Sequence, residues 1–147
     1  MNNIWEKSID IVEAELFSKD SIVGHLGIKF FERGDDYLKA SMPVDKRTIQ
    51  PLGILHGGAS VVLAETLGSA ASYMSLDSSR YSVGLEVNAN HIKSVSSGLV
   101  IGTARPVHLG NSTQVWDITI KNEEDQLVCL SRLTMAVFKN KEQINSD

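Results

Sequence analysis

Hydrophobic residues change their spacing several times along the chain, and the changes divide it into elements. In residues 3–17, Ile4, Ile9, Ile11, Val12 and Leu16 are interleaved with Glu6, Lys7, Glu13 and Glu15, which predicts an amphipathic helix. Gly24 and Gly27 flank a break. Runs near 27–33 and 37–43 predict two strands joined across Gly34-Asp35-Asp36, a hairpin-turn composition. Residues 44–56 contain Pro51 and Gly53 and predict an ordered loop. Residues 57–76, GGASVVLAETLGSAASYMSL, predict one long helix with so few polar positions that it should be buried nearly all round. It is about long enough for a bilayer, but Glu65 and its many Gly and Ser residues assign it to a protein core.

Beyond the helix the texture is β. Val83, Leu85, Val87 and Ala89 alternate with Gly84, Glu86, Asn88 and Asn90, and runs at 98–108, 113–121 and 126–138 follow. Trp116, Ile118 and Ile120 share one parity, and Asn122–Asp125 is a charged turn. The last run is apolar on both parities, so both of its faces should be covered. The expected fold class is α+β: an antiparallel sheet wrapped around one central helix, in a single domain spanning 1–147.

The chain has 147 residues, 42% of them hydrophobic, enough for a core without disulfides or metal. A net charge of −4 excludes a general polyanion binder, so no nucleic-acid partner is expected. Any anionic ligand must be held by a local group of donors. The lone Cys129 excludes an intrachain disulfide, and His25, His56, His91 and His108 lack ligand-like spacing, so no metal is expected. Charges in the opening residues interrupt any apolar leader, which makes a reducing, cytoplasmic setting the expectation, with no membrane partner.

Two features carry chemistry. Glu65 is the one charged residue between His56 and Asp77, on a helix expected to exclude water. It is either a structural carboxylate paired with a Lys or Arg, or one poised as base or nucleophile. His56-Gly57-Gly58 precedes the same helix, whose first turn leaves backbone N–H groups without partners. Gly57 N–H there suits an oxyanion, unless the glycines merely allow a tight entry. The two features are eight residues apart, ~12 Å along a helix and turned about 80° from one another. One carbonyl cannot touch both in one helix, so a dimer with two shared sites is expected. Small residues at 64, 68 and 71 would either let two helices approach or fit the helix into the sheet.

The stretch Gln50-Pro51-Leu52-Gly53-Ile54-Leu55-His56-Gly57-Gly58-Ala59-Ser60-Val61-Val62-Leu63-Ala64-Glu65 resembles the signature of the hotdog-fold acyl-CoA thioesterases. Met42-Pro43-Val44-Asp45, Gly84-Leu85-Glu86-Val87-Asn88-Ala89-Asn90-His91 and His108-Leu109-Gly110 ahead of Gln114-Val115-Trp116 extend the likeness over about 20–138. The similar branch holds bacterial 1,4-dihydroxy-2-naphthoyl-CoA thioesterase and the enterobactin-pathway proofreading thioesterase. The resemblance implies that Glu65 is the catalytic carboxylate, that Gln50 donates to the thioester, that His56 positions it and that Gly57 N–H holds the oxyanion. Ser69, one turn after Glu65, would orient water or the carboxylate, or else bond back to its own helix.

The same resemblance implies that coenzyme A lies along Gly84, along His91, Ile92, Lys93 and Ser94, and along His108, Leu109, Gly110, Asn111, Ser112 and Thr113. Lys93 stands where relatives often carry Arg, so a point-charge phosphate contact is implied there. By parity alone His91, in step with Val83, Leu85, Val87 and Ala89, reads as a core histidine. The acyl pocket is expected near Val61, Leu67, Ala71 and Tyr73, with room beside Ser72 for a bicyclic ring.

The implied activity is hydrolysis of an aromatic acyl-CoA, foremost 1,4-dihydroxy-2-naphthoyl-CoA in menaquinone biosynthesis, with no cofactor beyond the coenzyme A of the substrate. The alternatives are proofreading of a misloaded aryl carrier protein, a hydratase using His56 and Glu65, and a non-catalytic acyl-CoA-binding module. A homo-oligomer is expected, a dimer of dimers if the doubly apolar last strand is covered.

Overall fold

The computed structural model describes residues 2–141, apart from the side chains of Leu16 and Phe17. Its helices are α1 (Ile11–Ser18), α2 (Ile22–His25) and α3 (Gly57–Ser75); its strands are β1 (Lys29–Arg33), β2 (Leu38–Pro43), β3 (Arg80–His91), β4 (Leu99–Leu109), β5 (Thr113–Asn122) and β6 (Leu127–Lys139). The six strands form one antiparallel sheet in the order β1-β2-β4-β5-β6-β3. α3 lies in its concave side and packs on β2, β3, β4, β5 and β6. This is the expected α+β hotdog architecture.

α3 seats on the sheet through Leu63, Ala64, Leu67, Gly68 and Ala71, all buried. Gly68 lies against Leu133 and Ile118, so the small residues fit the helix into the sheet. Leu67 and Leu63 in turn rest on Gly102 of β4. Trp116 anchors the far end of this core, its indole N–H donating to Gln114, whose amide donates to Ser75 at 3.1 Å.

The helix expected over 3–17 is shorter. Residues 3–10 have no regular secondary structure, bend at Lys7 and strap the molecule instead: Ile4 N–H donates to Asp35, and the amides of Glu6 and Lys7 both donate to the Met74 carbonyl. Trp5 stacks on Trp116 at 6.4 Å, a contact that outweighs the modest helix preference of these residues. α1 begins where Asp10 and Glu13 form a capping box: Asp10 accepts from Val12 N–H, and Glu13 accepts from Asp10 N–H. Leu16, placed on its apolar face by the sequence, has a side chain outside the described set.

A bulge in β3 corrects a second expectation. Gly84 pairs with Met135 and Glu86 with Thr134, so Leu85 has no partner and the strand changes parity there. Val83 therefore points to the outer side, while Gly84, Val87, Ala89 and His91 share the side of Met135, Leu133, Ser131 and Cys129, which faces α3. The outer side of β6 is also more open than its pattern implied: Leu130 and Phe138 are exposed, and Phe138 stacks on Tyr81 at 5.5 Å.

Candidate active site

The loop before α3 is built to present Gln50 and the helix end. Gly53, at φ +79°, closes a turn in which the Gln50 amide donates to Ile54, and Ile49 bridges to Leu55. Leu55 N–H donates to Val95 and His56 N–H to Thr48, tying the loop to the segment after β3. His56 caps α3, its Nδ1 accepting from Gly58 N–H at 2.8 Å. That leaves Gly57 N–H with no acceptor among the described residues.

Gly57 also lies against the His91 ring: a Cβ at residue 57 would stand 2.7 Å from His91 Nε2. Gln50, Gly57, Ser60, His91, Ile92, Lys93 and Ser94 line one hollow of about 320 Å³. His91 is exposed in it, so parity misread this residue as core. The reason is geometric: β3 ends at His91, beyond the cover that α3 gives to Val87 and Ala89.

A second, larger chamber of about 750 Å³ runs along the side of α3 turned away from the sheet. Val62, Glu65, Thr66, Ser69, Ala70, Tyr73 and Met74 form one wall, and Ile9, Ala14, Ile22, Val23 and Phe30 form much of the other. Glu65 is exposed here, against the expectation of a shielded carboxylate, because the described residues of the opposite wall stand across the chamber rather than packing on that side. Nor is it a structural ion-pair partner: among the described residues no Lys, Arg or hydrogen-bond donor engages it. Gly84 makes the space for it, since a Cβ there would lie 2.9 Å from Glu65 Oε1. Ser69 also lines the chamber, and its hydroxyl meets Met135 Sδ at 4.0 Å, with no bond back to its helix.

One chain thus brings Gln50, Gly57 and His91–Ser94 together, and separately Glu65, Ser69 and Gly84, as the helix arithmetic required. The third group, His108–Thr113, forms the β4–β5 turn, with Thr113 opposite Ala136 and Ala136 opposite Val83. Val83 is eight residues from His91, roughly 26 Å along a strand, so this turn and the His91–Ser94 segment are at opposite ends of the sheet. Of the expected acyl-pocket residues only Tyr73 lines the chamber. Leu67 and Ala71 are in the core, Val61 lies outside the chamber wall, and the hydroxyl of buried Ser72 meets that of Ser82 at 2.7 Å. Steps of four residues from Glu65 mark the open side; Leu67, Ala71 and Ser72 fall off that line, and Val61, one step before Glu65 on it, stands beyond the end of the chamber. The opposite wall, from Ile9 to Phe30, was missed; its apolar residues were visible, but nothing local tied them to α3.

The family model of the Thioesterase superfamily matches residues 52–129, which include Gly57, Glu65, Gly84 and His91. The chain belongs to this superfamily. Among its relatives, the thioesterase is 49% identical over 135 residues to 1,4-dihydroxy-2-naphthoyl-CoA hydrolase of Escherichia coli, covering 92% of this chain and 99% of that one. It is 46% identical over 135 residues to the proofreading thioesterase EntH of Cronobacter turicensis, covering 92% and 98%. The crystal structure of a thioesterase from Haemophilus influenzae superposes with a TM-score of 0.91 at 46% identity, covering 92% of this chain and 95% of that one. The protein is therefore a hotdog-fold thioester hydrolase. No described helix of this thioesterase is long and apolar enough to cross a membrane.

Proposed function

We propose that this thioesterase hydrolyses an aromatic acyl-CoA thioester, foremost 1,4-dihydroxy-2-naphthoyl-CoA in menaquinone biosynthesis, with Glu65 as the catalytic carboxylate. The observation that carries the proposal is an unpaired carboxylate on the wall of a chamber large enough for a fused ring, in a chain whose helix N-terminus keeps a free N–H. Glu65 either attacks the thioester carbonyl carbon or takes a proton from the water that does. In both cases the carbonyl oxygen gains charge, Gly57 N–H stabilises it, and the C–S bond breaks as the coenzyme A thiolate leaves and takes up a proton. With water as the attacking group this step gives the acid directly; with Glu65 as the attacking group it gives a mixed anhydride, which water then cleaves to release the acid and restore the carboxylate. Gln50 donates to the thioester, His56 holds the helix entry and Ser69 orients the attacking group. Coenzyme A enters with the substrate, and no resident cofactor or metal takes part.

The working unit is a homodimer. β3 is a sheet edge of twelve residues with Val83 and Leu85 exposed, the sort of edge that soluble proteins cover. Gly57 rests on His91 and Glu65 on Gly84 within one chain. Antiparallel pairing of two β3 edges, centred midway between residues 84 and 91, sets His91 opposite the partner's Gly84. Gly57 of one chain then meets Glu65 of the other. The 108–113 turn of the other chain comes within three strand spacings, about 14 Å, of Ile92, which brings the coenzyme A segments to one end of the paired sheets. The exposed outer side of β6, with Leu130 and Phe138, supplies a surface for pairing dimers into a tetramer.

Thiol release from dihydroxynaphthoyl-CoA, hydroxybenzoyl-CoA, long-chain acyl-CoAs and aryl-loaded carrier protein tests the substrate. Likeness to the proofreading thioesterase supports the carrier-protein arm, and preference for that substrate would replace the naphthoyl assignment. Mixing Glu65→Gln and Gln50→Ala chains tests the shared site. Mixed dimers hold one intact site, so activity should recover to about a quarter of wild type. No recovery after subunit exchange would place both residues in one chain's site.

A further inference from the structure

We propose that Lys7 and Tyr73 act together as the end wall of the acyl chamber and limit the length of acyl group that this thioesterase accepts. The inference rests on the chamber being the acyl site. Tyr73 is two four-residue steps beyond Glu65 on the same side of α3, with Ser69 between them, and all three line the chamber. Eight residues of helix put it ~12 Å from the carboxylate, past the far edge of a bicyclic ring but in the path of a longer chain.

A tyrosine ring on an open helix side has freedom to turn away, and Lys7 removes it. The Lys7 ammonium lies 4.1 Å from the centre of the Tyr73 ring. It also donates to the carbonyls of Tyr73 at 2.8 Å, beside the Leu76 N–H that meets the same carbonyl at 3.4 Å, and of Leu76 at 2.6 Å, just past the helix end. The backbone around it is fixed by the two amides, of Glu6 and Lys7, on Met74. The strap therefore holds the ring by a cation–π contact, on a residue that lines the chamber. Helix capping alone would place an ammonium on the carbonyls; it does not require the aromatic ring beneath it.

Lys7 is a positioning residue and Tyr73 a specificity residue, and a substrate-length profile separates these roles from mere stability. For wild type, Tyr73→Ala, Tyr73→Phe, Lys7→Met and Lys7→Arg, kcat/KM is measured on benzoyl-, octanoyl- and dodecanoyl-CoA. Affinities for the matching thioether analogues, which cannot turn over, are measured by calorimetry. Tyr73→Ala and Lys7→Met should raise the dodecanoyl-to-benzoyl ratio about tenfold or more, in both kcat/KM and affinity. Tyr73→Phe and Lys7→Arg should keep the wild-type ratio. A uniform fall across all substrates, or unchanged ratios, overturns the proposal. If wild type releases no thiol, the hydrolysis reading fails by itself, while the analogue affinities still decide the end wall.

Discussion

The side of α3 that meets the sheet and the side that faces away are built on opposite rules. Towards the sheet, Leu63, Ala64, Leu67, Gly68 and Ala71 are buried and matched to Gly102, Ile118 and Leu133. Away from it, Val62, Glu65, Thr66, Ser69, Ala70 and Tyr73 border open volume, and the carboxylate has no partner. Packing decides the identity of residues on the first side; on the second, residues are free to serve a ligand. Small residues belong to both, so a hydrophobicity pattern sees one uniformly apolar helix where the molecule has a wall and a workbench.

The sharpest way to test that contrast is Glu65→Gln. It should lower turnover by roughly 10²–10⁴ and leave the fold intact, measured by thiol release beside a thermal melt. Near-normal turnover would remove the chemistry from the open side. Leu67→Ala should do the reverse: a loss of about 2–5 kcal/mol in denaturant unfolding, with turnover per folded molecule unchanged. A smaller effect is expected where the sheet meets the open side. Gly84→Ala would press a methyl on the Glu65 carboxylate and displace it, lowering kcat by about 10- to 100-fold, with circular dichroism unchanged.

The smallest effect lies at the segments flanking α3. The Asp77 carboxyl is held at about 2 by the Ser79 hydroxyl, the Ser79 amide and Arg80, and Asp45 is held at about 2 by the side chain and amide of Arg47. Both values lie below the ordinary 3.8, so their contribution is full above that pH and disappears as pH falls through about 2. Acid unfolding followed by ellipticity should therefore shift to higher pH in Asp77→Asn, and an unshifted curve would refute the assignment.

Much of the scaffold was legible because local signals agreed. Residues 57–76 were expected as helix and 57–75 form it, Gly34–Asp36 makes the hairpin, and the alternation in 113–121 marks the buried side of β5. The N-terminal strap was not legible, because its conformation is set by Trp116, Asp35 and Met74, none of which is near it in sequence. The separation of Gly57 from Glu65 could be deduced from helix geometry before any coordinates. The exposure of Glu65 could not, since it depends on what covers the helix. His91 was misassigned because parity gives the side of a strand but not where its cover stops, and Val83 because a one-residue bulge is invisible to a period-2 pattern.

The unpaired Leu85 also gives β3 one place where chain length is not fixed by its neighbours. Excising that residue would join Gly84 directly to Glu86 in a regular ladder, with Gly84 still beside Met135 and Glu86 still beside Thr134, so Val87, Ala89 and His91 would keep their side. A single-residue deletion at any other position between 80 and 91 would instead turn the residues on one side of it over. Within this family, single-residue gaps in this strand should therefore gather at the bulge.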